Sequence, residues 1–128
     1  MSRALLFAIL LAAAPLTGAA RAAGGAGDAE RDVKRAETIQ GLVRIVGAQA
    51  GIVLYCRRLY TIDDAVSEGL SRTVRRALDA ALGHPRARDA IAEEGRRVAD
   101  EIAAVGAEQW CADQRDILNT DGVRVFVD

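Results

Sequence analysis

The chain has two cysteines, and each directly follows an aromatic residue: Tyr55–Cys56 and Trp110–Cys111. Both lie in helical patterns, one early and one late. In a chain that looks exported, such a pair reads as one disulfide pinning the two helices together. A bridge closing a loop of this size contributes about 4 kcal/mol in the loop-entropy model. In a small chain whose core is rich in alanine, that is comparable to the whole expected stability. The rival reading is a redox site, with Arg57 and Arg58 activating a thiol at Cys56. It lacks the C-x-x-C spacing that such chemistry uses.

Export is read from the N-terminus. Arg3 opens the chain, Ala4 to Leu16 is apolar, and small residues follow from Gly18 to Ala23. A basic start, an apolar run of this length and an A-x-A-like end describe a secretory signal. The run is short for a membrane span. The reading is a signal peptide over 1–22, a flexible leader over 23–31 and one helical domain over 32–128. Removing Arg3 and Arg21 leaves 15 Lys and Arg against 18 Asp and Glu. The resulting charge of −3 is not that of a nucleic-acid binder, which carries a basic excess or stripe.

Four helical patterns follow. Val33, Ala36, Ile39, Val43, Val46, Ala50 and Val53 recur at spacings of three and four, the mark of an amphipathic helix. Gly47 and Gly51 share one face of it, which suggests a close helix crossing. Gly51–Tyr55 fits either a strand or the helix continued. Thr61 and Asp64 offer a capping box for the second helix. Its ridge is Ile62, Val66, Leu70, Val74, Leu78 and Leu82, with Gly83 and Pro85 as stop signals. Acids early in this helix and Arg72, Arg75 and Arg76 later complement its dipole. The third pattern is Ile91, Gly95, Val98, Ile102 and Val105, with Glu93 and Glu94 on a solvated face. Gly106 bends or breaks it. Trp110, Cys111, Gln114, Ile117 and Leu118 make a short fourth face, closed by Asn119–Gly122. The tail, Val123 to Val127, alternates like a strand. It either lies along the bundle, pairs with Ile52–Tyr55, or adds to a strand of another chain. Packing on its own chain is the expectation.

Little in the chain points to catalysis. His84 is the only histidine, and a zinc site needs several nitrogen or sulfur ligands. At a helix stop it reads as a histidine meeting the dipole, although Ser67 or Ser71 could in principle serve with it. Asp63 with Asp64 and Glu93 with Glu94 read as a cap and a solvent face. No cofactor, metal or enzymatic activity is therefore expected.

Two resemblances can be named. With a wide-spaced cysteine pair in a small exported helical chain, Cys56 and Cys111 give a plan that resembles the HdeA-type periplasmic acid-stress chaperones. That resemblance implies apolar surface exposed to client proteins when acid protonates the carboxylates. Cys56, Tyr60, Ile62, Asp64, His84–Pro85 and Cys111 are loosely similar to the pattern of secreted immunity proteins that inhibit cell-wall amidases. The family's glycine beside the tyrosine has no counterpart here.

The resulting expectation is an all-α, disulfide-pinned bundle of three long helical segments and a short fourth, with a short extended C-terminal tail. Its expected role is that of a non-catalytic periplasmic protein that binds another envelope protein, and a homo-oligomer is compatible with it. Tyr60, Trp110 and Phe126 are the candidate partner-binding residues, because aromatic side chains dominate binding hot spots. Core is the competing assignment for all three, most strongly for Trp110 beside the bridge.

Overall fold

The computed structural model describes the backbone of residues 15–127 and the side chains from residue 27 onward. Most of the apolar run read as a signal lies outside the described residues. The described chain is all-helical: α1 (Pro15–Tyr55), α2 (Asp64–Leu82), α3 (His84–Val105) and α4 (Ala107–Thr120). Helix α1 runs through the glycine-rich stretch assigned to a leader and through the ambiguous Gly51–Tyr55 segment. By length and composition, Gly27–Tyr55 could cross a membrane, but in the bundle its Val43, Val46 and Ile52 are buried core residues. The chain divides into two compact units after Ala36. In the first, residues 28–36 are exposed and Arg31 lies 3.6 Å from Asp28. Everything below concerns the second, Glu37–Asp128.

Two single glycines set the helix order. Gly83 ends α2 and starts α3; Gly106 ends α3 and starts α4. Each has a positive φ, +82° and +88°, a backbone conformation that only glycine adopts without penalty. In each, the N–H closes the helix behind and the carbonyl opens the one ahead. Gly106 N donates to Ile102 O at 2.8 Å, and Gly106 O accepts from Trp110 N at 3.0 Å. Pro85 falls in the first turn of α3, where its missing N–H is harmless. His84 therefore begins a helix, and its Nδ1 lies 3.4 Å from Asp79 Oδ1.

Cys56 and Cys111 form the disulfide, both fully buried. They belong to a core cluster with Ile52, Val98, Ile102, Trp110, Val125 and Phe126. A second cluster gathers Val43, Val46, Val74, Leu78 and Ala87. Gly47 and Gly51 do mark a close crossing. A Cβ on Gly47 would stand 2.5 Å from Glu94 Cγ, and one on Gly51 would stand 2.7 Å from the Trp110 ring.

The tail packs on its own chain, as expected, with Val125 and Phe126 in the core, but its partner is not Ile52–Tyr55. It pairs with the α1–α2 connection through a single antiparallel bridge, Ile62 to Phe126. Asp63 N donates to Val125 O at 2.8 Å, and Val127 N donates to Thr61 O at 3.1 Å. Because Thr61 and Ile62 are drawn into this bridge, α2 begins beyond them and Thr61 is not its cap. Asp63 caps α2 instead, its carboxylate accepting from Val66 N at 3.2 Å.

Candidate functional site

Of the three candidate aromatics, the structure buries two. Trp110 is 3% exposed and Phe126 2% exposed, both in the disulfide cluster. Both take the core assignment, the one favoured for Trp110 beside the bridge, and it replaces the surface candidacy of Phe126. The close α1 crossing at Gly51 draws the indole inward, and the bridge to Ile62 draws in the phenyl ring. Tyr60 is half-buried, edge-on to Phe126 at 5.5 Å, with the Arg115 guanidinium 5.2 Å from its ring centre. The three thus consolidate one end of the bundle.

What reaches the surface lies elsewhere. Leu54 is 74% exposed, and Tyr55 and Leu59 beside it are also exposed. With Arg58 and the α3–α4 junction at Gly106–Ala107 they line a shallow recess of about 600 Å³. Leu54 also belongs to a larger groove of about 810 Å³ between α1 and α2. The α1 wall of that groove is Val46, Ala50, Val53 and Leu54; the α2 wall carries Ser71, Arg72, Arg75 and Arg76.

The floor of the groove is polar. Ser67 is buried, and its Oγ donates to Gln49 Oε1 at 2.7 Å. Gln49 is itself only 2% exposed. Its Nε2 has no hydrogen-bond partner among the described residues, so both amide N–H donors remain for whatever enters. Pairing Ser67 with His84 finds no support, since the hydroxyl is committed to Gln49.

The groove's charges are unevenly satisfied. Asp64 holds Arg57 through two contacts, Nη1–Oδ2 at 3.0 Å and Nη2–Oδ1 at 2.7 Å. Hydrogen bonding to Asp64, with its charge, raises the Arg57 guanidinium above its ordinary value. Glu68 holds Arg72 at 2.8 Å, and Asp79 faces His84. All three acids are therefore engaged. Arg75 and Arg76 are exposed and make no ion pair among the described residues. They do not cap the helix dipole as expected, because the last turn of α2 holds no basic residue.

Glu94 is the third surprise. Read as part of a solvated face, it is 4% exposed. Its stem occupies the space opened by Gly47, and its carboxylate accepts from Arg97 Nε at 2.9 Å and from Nη2 at 2.6 Å. Arg97 also reaches Glu101 at 2.8 Å. Donating to the Glu94 carboxylate raises the Arg97 guanidinium above its ordinary value, which keeps its charge at every accessible pH. No cluster of metal-ligating side chains forms among the described residues.

No family model, curated protein or solved structure matches this chain. A disulfide and an apolar N-terminal helix fit an exported protein.

Proposed function

We propose that the chain is an exported, non-catalytic protein-binding module of the bacterial periplasm, and that its docking surface is the α1–α2 groove with the Leu54–Tyr55–Leu59 end. The observation that carries this reading is the exposed apolar band centred on Leu54, shared by the groove and the shallow recess. Contiguous exposed apolar surface marks interaction sites. The partner's chemistry follows from the walls. Its apolar side chains lie against Val46, Ala50, Val53 and Leu54, and its acidic side chains meet Arg75 and Arg76, which no ion pair among the described residues engages. A segment with one apolar and one acidic face satisfies both.

The test is site-specific crosslinking in the native envelope. A photo-reactive side chain replaces Leu54 in one variant and Asp100, exposed on α3, in another. The expected result is one discrete adduct from position 54, absent from position 100, and lost on adding Arg75→Glu with Arg76→Glu. Adducts of equal yield from both positions, or none from position 54, would sink the reading.

A further inference from the structure

A second recess, distinct from the groove, opens where α1, α3 and α4 meet. It has a volume of about 400 Å³, within the range of small-molecule sites. Its walls include Ile45, Leu70, Val98, Trp110, Ile117 and Leu118, with Trp110 and Val98 buried. Its polar lining is two amides, Gln49 and Gln114, and four charged groups, Arg44, Arg97, Glu101 and Asp121. Arg97 and Glu101 pair with each other, but Arg97 also serves the buried Glu94. One guanidinium thus answers two carboxylates. Asp121 stands at the C-terminal cap of α4, without an ion-pair partner among the described residues. Arg44 is likewise unpaired. Within the lining, Glu101 is held by Arg97, so Asp121 is the one acid and Arg44 the one base outside an ion pair among the described residues. The negative end of the α4 dipole reinforces Asp121, since the last turn of α4 holds no basic residue.

We infer that this recess binds a small organic amine with an apolar body, its ring or chain against Trp110 and Val98 and its ammonium at the mouth beside Asp121. The inference does not depend on the protein-binding reading: the two linings share only Gln49, and the binding groups named here, Trp110, Val98 and Asp121, are not in the groove. Apolar walls supply the burial. Asp121 and the helix terminus select the positive head over a neutral or negative one. Arg44 acts against a cation and so limits the selectivity.

Trp110 is the only tryptophan in the chain, so all tryptophan fluorescence comes from one wall of this recess. The oxidised mature protein is titrated with three probes of one shape: 2-phenylethylamine, 2-phenylethanol and 3-phenylpropionate. The indole N–H resonance is followed in parallel, so that binding silent in fluorescence is still seen. The amine is expected to bind about tenfold more tightly than the alcohol, and the carboxylate more weakly than either. Asp121→Asn, at an exposed position, is expected to bring the amine down to the level of the alcohol, and Arg44→Ala to raise amine affinity two- to threefold, on the order of a surface charge contact. Silence in both readouts at millimolar probe overturns the site. An alcohol or a carboxylate that binds as tightly as the amine overturns the charge selection, as does an Asp121→Asn protein that still prefers the amine.

Discussion

The two ends of the bundle are held by different means. At the disulfide end, Ile52, Trp110, Val125 and Phe126 pack around a covalent bond, and the C-terminal tail is bridged to the α1–α2 connection. At the other end, Val43, Val46, Val74, Leu78 and Ala87 pack with no crosslink and no aromatic side chain. The first end joins segments far apart in sequence, whose closure costs entropy. The second gathers α1 with α2 and α3, and the last two are joined by a single glycine. The contrast suggests why the bridge sits where it does: it constrains the contacts whose closure is entropically expensive, while neighbouring helices assemble from aliphatic burial alone.

The largest expected effect tests that division. Replacing both cysteines by serine is expected to lower the unfolding free energy by about 4 kcal/mol, measured by urea denaturation. Hydrogen exchange locates the loss. Amides near Cys56, Cys111 and Val127 should lose protection first, and those near Leu78 last. Equal loss at both ends would mean that the bundle has one core and that the comparison is false.

The next effect belongs to the other end. Leu78 is fully buried, and Leu78→Ala is expected to cost about 3 kcal/mol through lost transfer energy and a residual cavity. Combined with loss of the disulfide, the two costs are expected to add within about 0.5 kcal/mol, as they do for sites with no shared partners. A larger coupling energy would show the clusters communicating through α1, which contributes to both.

Between the two clusters lies the α1 crossing, and there two glycines of one helix are expected to behave oppositely. A Cβ at Gly47 meets Glu94 Cγ at 2.5 Å, whereas one at Gly41 meets nothing within 4 Å. Gly47→Ala must displace Glu94 from its seat under Arg97, and overpacking of this kind costs about 2 kcal/mol. Gly41→Ala, on an exposed helical position, is expected to stabilise by up to about 1 kcal/mol. Thermal melts of the two variants check the sign. If both stabilise, Glu94 moves freely and the crossing is looser than its geometry implies.

These positions also mark what periodicity could and could not reveal. The helices, the breaks at Gly83 and Gly106, the bridge and the close crossing at Gly47 and Gly51 were all legible, because each depends on a local rule. The buried register was not. Along α3 the expected seam ran through Gly95, yet Glu94 is buried and Gly95 only partly so. A carboxylate entered the core because Gly47 left room and Arg97 lies one turn away, and neither fact belongs to α3's own pattern. Ser67 and Gln49 behave likewise: each reads as polar surface until the other helix supplies its partner. The groove was therefore missed. Its two free arginines had a sufficient local explanation in the helix dipole, and its apolar wall, ending at Leu54, lies just off the expected ridge. The tail's partner was missed because Thr61 and Ile62 serve a helix-start rule equally well. Only the competing bridge shows that α2 begins beyond them.

The smallest expected effect tests that junction. Asp63 holds two roles at once: its side chain caps α2 through Val66 N, and its own N–H donates to Val125 O in the tail. Asp63→Ala removes the first and keeps the second, so a loss of about 1 kcal/mol is expected. Asp63→Asn retains a capping oxygen and is expected to change stability little. If cap and tail are independent, exchange at Val127 N–H, which donates to Thr61 O, stays as slow in Asp63→Ala as in the parent while amides at the start of α2 quicken. If Val127 quickens with them, the bridge depends on a formed α2 start. The disulfide end would then be held by the cap as well as by the bond, and its contrast with the aliphatic end would rest on more than one crosslink.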